Sequence, residues 1–222
     1  MRVQIHPADE GGCGHYRLIW PAKVLQAEGY DIELKKNVLA QMQVIDGIER
    51  VVGLQEVPDA DVVVLQRPLS RQLGELILHL QAANIAVVVE LDDDFLTIHP
   101  RNVAWENVQP SNSPYSNYWW LQAAAQQADL LTCTTQALQK YNPQRSIVIP
   151  NFVPELYTEV PIRYHDQPHI GWAGAINVHP NDLQEMGSSI AQLVHQDGYQ
   201  FRVVGTGQGV ARIVGLPDSY DL

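Results

Sequence analysis

Glu90-Leu91-Asp92-Asp93-Asp94-Phe95 places four carboxylates within five residues, directly after the apolar run Ile85 to Val89. Like charges so close repel one another. A fold that keeps them at the end of a buried strand has a use for them in a ligand, a metal or a proton transfer. The chemistry that fits is a general base, an acceptor of hydrogen bonds from hydroxyl groups, or a divalent-metal site. The plainer alternative is a solvated acidic loop in which one aspartate caps a neighbour. Alternation along an extended strand end puts Asp92 and Asp94 on one side and Asp93 on the other. Asp92 and Asp94 are therefore the expected catalytic pair, with Asp93 tied to neighbouring backbone N–H groups. No second carboxylate cluster completes an octahedral shell, so no metal is expected.

Glycine-bearing turns accompany these acids. PADEGGCGHYR follows an alternating strand at residues 2–6, and Gly12 and Gly14 make a flexible turn before a helix over residues 15–28, which Gly29 ends. Pro21 either kinks that helix or delays its start, because it has no N–H to give. In this arrangement Gly12, Gly14, His15 and Arg17 face a ligand; the alternative is an ordinary strand-to-helix turn. HIGWAGAINVHPNDL at 169–183 repeats the order of strand, glycine loop and helix. Gly174, Ala175 and His179 stand at its turn, and a phosphate would sit against the free N–H groups of the helix start. FRVVGTG at 201–207 ends a further strand in Gly205 and Gly207. Small residues thus stand at the C-terminal ends of both strands, the place where open α/β sheets bind ligands.

The elements that position these residues alternate. VVVL after Asp61 and the run before Glu90 are continuous apolar stretches of the kind that parallel strands, buried on both faces, require. Between them Leu73, Leu76, Ile77 and Leu80 form one helix face. Residues 130–134 and 147–149 supply further strands, and the stretch 35–58 shows no clear period. The expected fold class is α/β, a Rossmann-like doubly wound parallel sheet over residues 1–152. A proline-rich linker follows at 153–168, and an incomplete second Rossmann-like unit at 169–222. Residues 97–117 are rich in Pro, Asn and Ser and suggest a long active-site loop. Trp105, Tyr115, Tyr118, Trp119 and Trp120 stand in and beside it, either for stacking on a ligand or for core packing.

Composition excludes several classes. The formal charge of −11 over 222 residues, with Lys and Arg scattered, argues against a nucleic-acid surface. No segment approaches the ~20 apolar residues that span a bilayer, and the N-terminus lacks the apolar core of a secretory signal. A cytoplasmic location is expected. Cys13 and Cys133 have no metal spacing and are expected to be reduced thiols.

Several separated motifs agree in order: GCGHYRLIWPAKVL, VVVELDDDF, LLTCTTQAL followed by IVIPNFVP, then HIGWAGAINVHPNDL and FRVVGTG. Together they resemble the GT-B-fold glycosyltransferases along nearly the whole chain. VIPNFV and IGWAG with the following His179 and Asp182-Leu183 are the more specific of them. The resemblance implies an acceptor-side N-terminal domain, a donor domain beginning at residue 169, and a nucleotide-sugar as donor. The acceptor would be an unknown hydroxyl on a glycan, lipid or protein. It implies that the loop at 11–14 faces the donor diphosphate from one side and that Gly174, Ala175 and His179 approach it from the other. No cofactor and no Mg²⁺ would be needed, since a helix N-terminus and basic side chains can stabilise the leaving diphosphate. Residues 169–222 are fewer than the family's donor domain, so a missing or separate donor half is expected. The rival expectation is a non-catalytic module of the same fold that binds a sugar, a nucleotide or a protein.

Overall fold

The structure is a computed structural model, and it describes residues 1–36, 40–161, 166, 168–175, 182–206 and 210–217. The chain divides into two compact units, Met1–Thr97 with Asn107–Glu159, and Ile98–Glu106 with Val160–Leu222. Part of the expected loop, residues 98–106, thus belongs to the second unit.

The first unit is built on a six-stranded sheet in the order β2-β1-β5-β6-β7-β8. Its strands are β1 (Arg2–His6), β2 (Asp31–Leu34), β5 (Val62–Gln66), β6 (Ala86–Leu91), β7 (Leu130–Cys133) and β8 (Ser146–Val148). Every pairing within it is parallel. Parallel strands need long crossovers, and helices supply most of them. The helical run from Gly12 to Ala27 lays Leu18 and Ala22 on Ile5, with Val3, Ile32, Leu34 and Val64 packed around them. Val63 and Leu65 alternate with Val64 and so face the other way; both are buried, and both faces of the sheet are therefore covered. On the Arg71–Ala82 helix, Leu76, Ile77 and Leu80 are buried where it meets β6 and the Asn117–Gln127 helix. Ser70 caps this helix by accepting from the Leu73 N–H at 3.2 Å. Truncating Leu80 to Ala would cost about 2–5 kcal/mol, since no water or side chain refills a fully buried leucine's place.

Residues 40–54, where the sequence offers no clear period, form an antiparallel hairpin of β3 (Ala40–Ile45) and β4 (Ile48–Leu54). Asp46 and Gly47 turn it with φ of 52° and 76°, the left-handed pair that a two-residue hairpin loop requires. It is held to the Arg71–Ala82 helix by Glu75, which pairs with Arg50 and accepts from the Val51 N–H at 2.9 Å.

Pro21 stands in the first turn of an α-helix that starts at Trp20, the delayed start its missing N–H favours, although the chain is already helical ahead of it. The ladder widens to a π-helical stretch over His15–Ile19, with the Trp20 N–H donating to the His15 carbonyl, just ahead of the proline that has no N–H.

The second unit has its own core of Trp172, Leu183, Ile190, Val194, Phe201, Ala211, Val214 and Leu216. β9 (His169–Ala175) and β10 (Gln200–Thr206) pair in parallel around helices Asp182–Met186 and Ser189–Asp197. The expected single helix is broken at Gly187, whose φ of 54° no α-helix accommodates. Met186, at the end of the first of the two helices, is exposed.

Candidate functional site at the switch point of the sheet

Strand order reverses sense between β1 and β5, and the crevice beyond the C-terminal ends of such strands is where open α/β sheets bind ligands. Asp9 and Cys13 leave β1 there, Arg67 leaves β5, and Asp92 and Asp93 leave β6.

Asp9 organises the glycine loop. Its Oδ1 accepts from the Gly11 N–H at 2.8 Å and the Gly14 N–H at 3.2 Å, and its Oδ2 pairs with Arg67. The loop at 11–14, which the resemblance sets against a donor diphosphate, thus already has the chain's own carboxylate on its N–H groups, which a helix N-terminus favours for the same electrostatic reason as a phosphate. Gly14 serves this turn: a Cβ there would fall 1.9 Å from the Asp9 carbonyl oxygen, whereas Gly12 has open space around it.

Arg67 has a φ of 45°, a left-handed backbone that costs an arginine on the order of 1–2 kcal/mol. Such strain persists where surrounding structure enforces it, characteristically at functional sites. Here its N–H donates to the Glu90 carbonyl at 3.0 Å, and its guanidinium lies between Asp9 and Asp92, with Nε 3.7 Å from Asp92 Oδ1. Burial opposes its charge, but Asp92 and Asp9 outweigh that and hold its pKa above the ordinary value.

The acids separate by role. β6 ends at Leu91, so the alternation expected to align Asp92 with Asp94 no longer operates beyond it. Asp92 and Asp93 instead come together with Cys13, one ligand atom from each lying within 4.8 Å of the others. Burial, then the hydrogen bond to Asp92 and the charge of that residue, pushes the Cys13 thiol up to about 12. Asp94 turns away into a structural cluster. Its Oδ1 accepts from Tyr141 Oη at 2.8 Å and the Leu96 N–H at 3.2 Å, and its Oδ2 pairs with Lys140. Burial works against its charge, yet these bonds hold its carboxyl below the usual carboxylate range.

Glu90, the fourth carboxylate, is paired inside the protein. Arg17 Nε donates to its Oε1 at 2.6 Å, while Arg17 Nη1 donates to the Ile149 carbonyl at 2.6 Å and to Asn151 Oδ1 at 3.2 Å. Burial pushes Glu90 up; Arg17 works against this, and Asp92 adds to it. Arg17, expected to face a ligand, is 8% exposed and committed to this network. His15 is half-buried and receives the Trp20 indole N–H on Nε2.

Of the remaining expected residues, Gly174 and Gly205 face each other in the β9–β10 register, and Ala175 pairs with Thr206. At Gly205, φ is 150° and a Cβ would fall 1.7 Å from the Gly174 carbonyl oxygen; at Gly174 it would meet the Trp172 ring at 2.9 Å. Both glycines therefore have a packing reason to be there. His179 and Gly207 lie outside the described residues. Among the aromatic group, Tyr118 is buried against Tyr141, Trp120 lies under Arg71 at 4.7 Å, and Tyr115 and Trp119 are exposed. Cys13 and Cys133 are both free thiols.

The sequence reading passed over Asp9 and Arg67. Aspartate two residues before Gly11 is a signal for a side chain that bonds its own loop. Arg67, directly after an apolar strand and before a proline, was legible only as a strand end. A cavity of about 450 Å³ adjoins the switch point on the β2 side, lined by Pro7, Ala8, Asp9, Glu10, Ile19, Leu34, Lys35 and Lys36. Among the described residues, no helix is long and apolar enough to cross a membrane. The chain matches no family model and no curated protein sequence.

Proposed function

We propose that the chain is a nucleotide-sugar-dependent glycosyltransferase, or its acceptor-side unit with the start of its donor-side unit, transferring a sugar to a hydroxyl acceptor. The observation that carries this reading is the convergence of Asp92 and Asp93 at the switch point, with Arg67 held in a strained backbone between Asp9 and Asp92. Such an edge suits a hydroxyl nucleophile: the carboxylates accept its proton or hold the group that activates it, and Arg67 fixes the orientation of Asp92. The six-stranded parallel sheet, followed by a second strand–helix–strand unit, is the architecture this activity calls for. Gly174, Ala175 and Gly205 at the ends of β9 and β10 are the described residues proposed to approach the donor. Asp94 is left out of the chemistry because Lys140, Tyr141 and the Leu96 N–H already occupy its oxygens.

The second reading, a non-catalytic module of the same fold, is favoured by one observation: Asp9 fills the anion position at the start of the first helix. Release of nucleoside diphosphate from a panel of nucleotide-sugars separates the two. An enzyme releases it, and slowly even to water; a binding module retains the nucleotide-sugar intact.

A further inference from the structure

We infer that Cys13, Asp92 and Asp93 form a binding site for a thiophilic divalent cation of the zinc type. Their ligand atoms lie within 4.8 Å of one another, and a small closure would bring them to one tetrahedral ion with bonds of about 2.0–2.3 Å. They come from two elements, the first turn of the Gly12–Ala27 helical run and the loop after β6, so the ion would tie the ends of β1 and β6 together.

Asp92 provides the independent observation. Its side chain is 6% exposed, and its Oδ1 has no hydrogen-bond donor. The nearest cationic group, Arg67 Nε, is 3.7 Å away, too far for a hydrogen bond. Arg17 is committed to Glu90, and Arg67, hydrogen-bonded to Asp9, offers Asp92 its charge but no hydrogen bond. A carboxylate oxygen buried without a donor is costly, and a cation bound at that point offsets the cost.

The ligand types choose the ion. A thiolate is a soft ligand that Zn²⁺ or Co²⁺ accepts and Mg²⁺ avoids. On binding, the Cys13 Sγ–H bond is replaced by an Sγ–metal bond and the proton passes to solvent, with no change of oxidation state. Three protein ligands leave a further coordination position for water or a substrate hydroxyl, as in catalytic rather than structural zinc sites. The inference concerns binding alone and stands whether or not the chain transfers sugars.

The test is a titration of the chain with Co²⁺, whose thiolate complexes absorb in the near ultraviolet, followed by displacement with Zn²⁺. A single equivalent of Co²⁺ is expected to raise the thiolate band, and Zn²⁺ to remove it. Cys13→Ser should lack the band, and Cys133→Ala should keep it. Asp92→Asn should weaken cobalt binding by roughly tenfold or more. Asp93 is exposed, so Asp93→Asn tests the site without disturbing the interior and should weaken binding likewise. No thiolate band in the folded wild type, a band that survives Cys13→Ser, or Mg²⁺ displacing Co²⁺ as well as Zn²⁺ does would overturn the inference.

Discussion

Arg17 and Glu90 form an ion pair with Nε 2.6 Å from Oε1 and side chains only 5% and 2% exposed. Through Arg17 it joins the first helix to the end of β6 and to the backbone at Ile149 and Pro150. Removing one partner strands the other charge in the interior. Arg17→Ala is therefore expected to lower the unfolding free energy by about 3–5 kcal/mol. Arg17→Met combined with Glu90→Leu should recover most of it, because an apolar pair needs no desolvation of charge. Denaturant unfolding of the three proteins checks this; a double variant no more stable than Arg17→Ala would contradict it.

His6 gives stability a dependence on pH. It is buried at the end of β1 with Nε2 3.1 Å from Gln4 Oε1, and its pKa falls from 6.5 to about 4, by burial first and then by Lys35, with Glu33 opposing. The unfolded chain takes up the proton near 6.5, while the folded one resists it until about 4. Below the unfolded value the unfolded state binds more protons, so this contribution is present at neutral pH and is lost as the pH falls through that window. At about 1.4 kcal/mol per pKa unit the loss is on the order of 3 kcal/mol. Unfolding free energies between these pH values should show a flatter slope for His6→Asn than for the wild type. Parallel profiles would refute the assignment.

Gly12 and Gly14 should part company on substitution. A Cβ at Gly14 meets the Asp9 carbonyl at 1.9 Å, and one at Gly12 meets nothing. Gly14→Ala is expected to destabilise by about 2 kcal/mol or more, through backbone displacement. Gly12→Ala should leave stability unchanged or raised by up to ~1 kcal/mol, as alanine favours helix. Thermal melts of the two variants decide it, and equal shifts would contradict the geometry.

Asp94 should behave as a structural residue. Asp94→Asn weakens the bonds from Lys140 and Tyr141 and is expected to cost about 1–2 kcal/mol. The prediction is a lower melting temperature with no loss of ligand binding. Lost binding at unchanged stability would return Asp94 to the site.

Much of the fold was legible because parallel strands buried on both faces must be apolar throughout, as in Val62 to Leu65 and Val87 to Val89. The hairpin at 40–54 was missed although Asp46-Gly47 announces its turn; its strands carry exposed Val44, Ile45 and Ile48, which blur the period of two. The acidic turn was recognised, but its internal division was not. Alternation was extended past Leu91, where the strand had already ended, and so grouped Asp92 with Asp94 instead of Asp93. Arg17 looked like a ligand-facing residue because nothing local reveals that Glu90, distant in sequence, is its partner. The π-helical stretch that meets Pro21 likewise follows from tertiary context.

Asp92 is proposed to act on a hydroxyl acceptor while the donor binds elsewhere. The measurement that tests it most directly is release of nucleoside diphosphate from nucleotide-sugars by the wild type and by Asp92→Asn, with donor binding followed by calorimetry. Measurable release by the wild type is expected, with a fall of roughly 10²-fold or more in the variant and nearly unchanged donor affinity. No release and no binding of any nucleotide-sugar by the wild type, or equal turnover by the variant, would contradict it.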